Sequence, residues 1–250
     1  MHRFYISPNN WNPGALTLAG PEAHHARDVL RMRAGEKLVL FNGQGREITA
    51  EILDLGGNEI RLRKLHEAET PPLQCRIVLG QAIPKVRNME LIVQKAVEIG
   101  AAEIAPIVSD RTIVQVDSES AALKQTKWQQ IAIEAAKQCG QNWLPRVHTP
   151  RKLAELFSLA SEESFDLRLI GSLQPDAQHL KKVLANYLSE HQHRPRTVLM
   201  LIGPEGDFTP AELSLARRYG CQPITLGPII LRVETAAIYC LSILSYELLI

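Results

Sequence analysis

Three apolar runs in this chain stop on glycine. "TVLMLI" leads into Gly203-Pro204-Glu205-Gly206-Asp207, "PITL" leads through Leu226 into Gly227-Pro228, and "LRLI" leads into Gly171-Ser172. Each run reads as a buried strand, and ligands of open α/β sheets bind beyond the carboxyl ends of such strands. Glycine at that point lets backbone approach a ligand closely. A tight strand-to-helix turn that holds nothing would use the same residue. For any one elbow both readings stay open, and three together put the ligand reading on an equal footing. After the Gly227 elbow, "PIILRVETAAI" supplies a cation, Arg232, and a carboxylate, Glu234. Glu234 at a helix start would also complement the helix macrodipole, and Arg232 would also serve as a structural ion-pair partner.

Several other chemistries find no pattern here. No G-x-x-x-x-G-K-[ST] phosphate loop is present, and "NGQGREI" lacks the third glycine of a dinucleotide fingerprint. Cys75, Cys139, Cys221 and Cys240 form no C-x-x-C pair and no zinc spacing with histidine, so no metal site is expected and the thiols read as reduced and cytoplasmic. Cys139, in the last turn of a predicted helix, sits where the dipole disfavours a thiolate and is expected to be packed and inert. Residues 1–30 lack the apolar centre of a signal peptide. The apolar tail "TAAIYCLSILSYELLI" is too short for a bilayer and is expected to be a helix buried on most of its circumference.

The elements that would position these residues fall into two textures. Residues 1–70 alternate short strand-like runs with Asn-Pro-Gly, Asn-Gly-Gln-Gly and Gly-Gly-Asn turns, interrupted by one helix, "PEAHHARDVLRM". This predicts a small β-barrel domain, followed by a linker in "HEAETPPLQ". From residue 74 to 250 strands and helices alternate, which predicts a parallel sheet covered on both faces. The 28 Lys and Arg against 27 Asp and Glu leave a net charge of +1, so any nucleic-acid surface must be local.

"LIGPEGDFTPAEL" followed by "LGPIILRVETAAIYCLSIL" closely resembles the RsmE family of 16S ribosomal RNA methyltransferases, in the SPOUT superfamily. "QKAVEIGAAEIAPIVSDRTIV", "EAAKQCGQNWLP" and "HRFYI…HHARDVLRMRAGEKLVLFNGQG" extend the resemblance over nearly the whole chain. It implies a PUA-like RNA-binding β-barrel domain over 1–70 and, over 74–250, an α/β SPOUT domain with a parallel sheet and a trefoil knot. It implies methyl transfer from S-adenosylmethionine to N3 of a uridine in 16S rRNA, by a homodimer, without metal or membrane. Another RNA position, such as a ribose 2′-hydroxyl, or an RNA-binding protein with lost or weak transfer, are the alternatives. Ile229 and Val233 stand where the family commonly has arginine and threonine; Arg232, Glu234, Thr235 and Ala236 keep its pattern.

The resemblance places the cofactor against Gly171, Leu201, Ile202, Gly203, Glu205, Gly206, Leu226, Gly227, Ile230, Leu231, Thr235 and Ala236. A uridine N3 whose pKa lies about two units above neutrality costs about 3 kcal/mol to deprotonate. A cation beside a carbonyl oxygen of the base offsets that cost, and Arg232 is the candidate. Glu234 is the candidate proton acceptor. For RNA binding the candidates are Arg3, ahead of the first strand, His24, Arg27 and Arg31, at i, i+3 and i+7 of the predicted helix, and Arg33 after it. Residues 1–70 hold nine basic and nine acidic side chains, so this surface would be a patch and not a basic domain.

Overall fold

The computed structural model describes residues 1–57, 59–85, 88–112, 117–160 and 165–249. Its contacts divide it into two compact units, Met1–Pro72 with Ile133–Leu144, and Leu73–Ala132 with Pro145–Ile250.

The first unit is built on β1 (Arg3–Tyr5), β2 (Thr17–Ala19), β3 (Lys37–Phe41), β4 (Arg46–Asp54) and β5 (Glu59–Glu69), in the sheet order β1-β3-β4-β5-β2. Only β1 and β3 run parallel. Among the described residues no β1–β2 pairing closes the sheet, so it is a half-barrel. Alternation places Ile48, Ala50 and Ile52 of β4 inward, where they meet Phe4, Leu18, Leu38, Leu40 and Ile60. β5 runs on through "HEAE", which the sequence assigns to a linker. Its second half buries no side chain, so backbone pairing with β4 holds it and no apolar pattern announces it. The helix is α1 (Gly20–His24), continued by a π-wound turn over His25–Val29. Arg31 lies beyond its end with a left-handed φ of 54°, so the expected His24–Arg27–Arg31 helical face does not form.

Ile133–Leu144 packs with this unit. Lys137 Nζ lies 3.1 Å from Glu22 Oε1, Trp143 Nε1 donates to Thr70 O at 2.8 Å, and Asn142 Oδ1 accepts from Arg3 Nη2 at 2.5 Å. Arg3 also pairs with Glu47, and its guanidinium lies 5.1 Å from the Phe41 ring centroid. Arg3 therefore acts as a structural cation, its guanidinium held by Glu47 and Asn142 and not standing open as an RNA-binding patch would have it. Cys139 is exposed and not packed; its Sγ makes a weak contact, 3.9 Å, with Ala136 O.

The second unit holds β6 (Arg76–Ala82), β7 (Glu103–Val108), β8 (Arg146–Val147), β9 (Arg151–Lys152), β10 (Leu167–Gly171), β11 (Gln178–His179), β12 (Thr197–Ile202) and β13 (Gln222–Thr225). The order is β11-β13-β10-β12-β6-β7-β8, with β9 also on β7, and every pairing is parallel. β12 thus enters between β6 and β10, two strands that precede it in the chain. The helices are α2 (Asn88–Ile99), α3 (Ser118–Cys139), α4 (Leu153–Ala160), α5 (Leu180–His191), α6 (Pro210–Arg218) and α7 (Val233–Leu248). α4 and the two-residue strands are too short to leave a clear period in the sequence. α7 is less buried than its composition suggests. Val233, Ala237, Leu241, Leu244 and Leu248 face inward, while Thr235, Tyr239, Ser242 and Tyr246 form an exposed stripe at i, i+4, i+7 and i+11.

The start of α6 joins two strand-end loops. Thr209 and Glu212 form a reciprocal capping box. The buried Glu212 carboxylate also accepts from Ser109 Oγ and Asp110 N, both at 3.1 Å, at the end of β7. Glu212→Ala strands these donors, and we expect a loss of about 2–3 kcal/mol by chemical denaturation. Glu212→Gln, which keeps one acceptor oxygen, should lose clearly less.

Candidate functional site

The carboxyl ends of β10, β12 and β13 converge on one cleft of about 450 Å³, an ordinary size for a small-molecule site. β10 contributes Gly171, Ser172 and Leu173. The β12 elbow contributes Ile202, Gly203, Pro204, Glu205 and Asp207. The segment from β13 into α7 contributes most of Thr225 to Ala236, and Asn88 comes from the first turn of α2.

The elbows use glycine for different reasons. A Cβ on Gly203 would stand 3.2 Å from both Asp207 Oδ1 and Phe208 N, so a side chain there presses on the turn itself. Gly227 has φ +112°, a backbone state that L side chains rarely adopt, and open space around it. At Gly171 a Cβ would make ordinary contacts of 3.5–3.9 Å. The first elbow is anchored from both sides. Glu205 Oε1 accepts from Lys85 N at 2.8 Å, and Arg111 Nη1 donates to Gly206 O. Asp207, at φ 62°, accepts from Phe208 N at 2.7 Å, and the Phe208 ring is buried beneath.

Of the residues predicted to meet a cofactor, Gly171, Ile202, Gly203, Glu205, Leu226, Gly227, Ile230, Leu231 and Ala236 line the cleft, as do Arg232 and Glu234. Leu201, Gly206 and Thr235 do not. Leu201 is one residue out of phase with Ile202, so strand alternation turns it into the core, where it fills the space left by Gly80. Gly206 faces Arg111 Cδ, and Thr235 lies on the exposed stripe of α7. The sequence reading missed Ser172, Leu173, Pro204, Asp207, Thr225, Ile229 and Val233, all chain neighbours of predicted residues, and Asn88, which only the tertiary fold brings here.

Among the described residues the walls combine apolar side chains with three carboxylates, Glu205, Asp207 and Glu234, against one guanidinium, Arg232. Arg232 is the N-cap of α7 but its side chain caps nothing. It is exposed and, among the described residues, has no hydrogen-bond or ion-pair partner. Glu234 accepts from Asn88 Nδ2 at 3.1 Å. Such a cleft suits a flat ring on its apolar side and a net positive charge beside its carboxylates. Burial pushes the Cys75, Cys221 and Cys240 thiols up to about 12, so none is a ready thiolate nucleophile. Among the described residues no cluster of His, Cys, Asp and Glu could hold a metal, and no helix is long and apolar enough to cross a membrane.

A parallel sheet with a glycine-elbow cleft, preceded by a half-barrel, defines the class of RNA methyltransferases with a PUA domain. The family model for the RNA methyltransferase domain matches residues 71–245, and that for the RNA methyltransferase PUA domain matches 18–65. The ribosomal RNA small subunit methyltransferase E of Synechocystis is 30% identical, over 94% of this chain and 74% of its own. A Legionella pneumophila methyltransferase structure with bound SAM is 35% identical, with a TM-score of 0.85 over 98% of this chain and 97% of its own. The Neisseria gonorrhoeae ribosomal RNA small subunit methyltransferase E, bound to S-adenosylmethionine, is 30% identical, with a TM-score of 0.82 over 99% and 98%. This chain belongs to the ribosomal RNA small subunit methyltransferase E family.

Proposed function

We propose that the protein methylates N3 of a uridine in 16S rRNA, with S-adenosylmethionine as donor. The observation that carries this reading is the cleft itself. Three strand ends form it and, among the described residues, carboxylates outnumber cations in it and Arg232 is left without a partner.

Bound S-adenosylmethionine would supply a methyl group on a sulfonium, an electrophile that a nucleophile, here the uridine N3, attacks in line. Ile202, Leu226, Ile230 and Leu231 would cover its ring system, and Gly203 and Gly227 would let backbone approach it. The acidic walls would favour its positive charge. Arg232 offsets charge developing on a carbonyl oxygen of the base as N3 loses its proton, and Glu234 takes that proton. We place the PUA-like domain at 1–70 and the SPOUT domain, with its C-terminal trefoil knot, at 74–250. We assign the exposed Thr235–Tyr239–Ser242–Tyr246 stripe to a homodimer interface, and the protein to the cytoplasm. Nucleosides from 16S rRNA of a deletion strain, resolved by mass spectrometry, should lack one 3-methyluridine that the intact gene restores. An unchanged 3-methyluridine content sinks the reading.

For RNA recognition the patch narrows. His24 and Arg27 both pair with Asp28, and Arg27 also donates to Gly57 O at 2.6 Å. Arg31 and Arg33 are exposed and their guanidinium groups have no partner among the described residues. Removing both, as Arg31→Ala with Arg33→Ala, should weaken rRNA binding and lower the salt slope of log K by about 2. An unchanged slope places the phosphate contacts elsewhere.

A further inference from the structure

We propose that Asn88 is a positioning residue for methyl transfer, holding the Glu234 carboxylate at the cleft wall where it meets the incoming base; this rests on the reading of Glu234 as proton acceptor. Asn88 begins α2 and Glu234 is the second residue of α7. The two helices pack against one another, and Asn88 Nδ2 lies 3.1 Å from Glu234 Oε2. Both side chains line the cleft.

A glutamate side chain has three rotatable bonds, and Asn88 supplies the one side-chain hydrogen bond that Glu234 accepts among the described residues. With Oε2 held, Oε1 remains to accept a proton. A neutral amide orients the carboxylate without neutralising it, as an arginine or lysine at this place would. Lys85 N donates to Glu205 of the first elbow. Lys85 and Asn88 thus each hold one of the cleft's carboxylates, Glu205 and Glu234. Nothing in "RNMEL" signals this, because the partner lies 146 positions along the chain.

The test is a double-mutant cycle on the full chain, with turnover and S-adenosylmethionine affinity measured separately. Asn88→Ala should lower kcat about tenfold, the worth of one hydrogen bond to a charged group, while cofactor affinity stays within about twofold of the parent. Combined with Glu234→Gln it should cost little beyond Glu234→Gln alone, because both act through one carboxylate. Multiplying losses, or an undiminished kcat in Asn88→Ala, overturn the role of Asn88. An undiminished kcat in Glu234→Gln overturns the proton-acceptor reading itself, and a slow Glu234→Gln beside a fast Asn88→Ala overturns Asn88 alone. If Asn88→Ala melts below the assay temperature, the isosteric Asn88→Asp replaces it. It removes the donor and sets two carboxylates together, so its loss should be large with Glu234 present and small with Glu234→Gln. Equal losses in the two backgrounds overturn the proposal.

Discussion

Arg232→Ala should lower turnover about 100-fold, the usual cost of removing one donor that stabilises a developing anion, while S-adenosylmethionine affinity changes by less than about threefold. The backbone of Arg232 is already in place as the N-cap of α7, at φ −64° and ψ 155°, with its carbonyl accepting from Ala236 N at 2.8 Å. Truncating the side chain leaves that geometry intact. The guanidinium has no structural partner among the described residues, so its loss strands no buried group. What disappears is a positive charge at the cleft mouth, beside the carboxylate walls. If making the N3 anion costs about 3 kcal/mol, the missing cation returns most of that cost to the barrier. Single-turnover rates with saturating cofactor, paired with calorimetry for the cofactor, separate the two effects. Equal losses in rate and affinity would make Arg232 a cofactor ligand and not a partner of the base.

Gly203→Val should abolish measurable cofactor binding, a loss of more than about 100-fold, on the scale of strain from overpacking a site that cannot give way. The first side-chain carbon already stands 3.2 Å from Phe208 N and 3.3 Å from Phe208 Cδ2, and valine adds two more. Phe208 cannot retreat, because it is fully packed under the elbow. Asp207 cannot easily retreat either, since its left-handed backbone and its hydrogen bond to Phe208 N define the turn. The elbow must therefore shift as a unit, carrying Glu205 and Asp207 out of the cleft. Gly171→Ala is the control: its new methyl meets only ordinary contacts, so it should fold normally and perturb binding modestly. Unchanged affinity in Gly203→Val would show that this elbow is not part of the cofactor site.

The site was partly legible in the chain because its residues cluster behind three strand ends, and short-range pattern reveals strand ends. Ile202, Gly203, Leu226, Gly227, Arg232 and Glu234 were reached that way and line one cleft. Leu201 was misplaced because a run buried on both faces shows no alternation that says which side chain turns outward. Thr235 was misplaced because a helix start does not disclose which of its faces meets the cleft. In the first unit, the helix period put Arg31 on a face with His24 and Arg27, but the π-wound turn ends at Val29 and Arg31 leaves the helix.

The amino-acid sequence by itself determined the two textures, the alternating strands and helices, the glycine elbows and the motifs of the family, since these depend on local periodicity and on which residues tolerate a given turn. Only the tertiary structure decided that Asn88 meets Glu234, that Arg3 is bound to Glu47 and Asn142, and that Arg232 has no partner among the described residues. Those outcomes rest on contacts between residues as much as 146 positions apart, and such a contact is selected by how the sheet orders its strands, a choice that no stretch of neighbouring residues encodes.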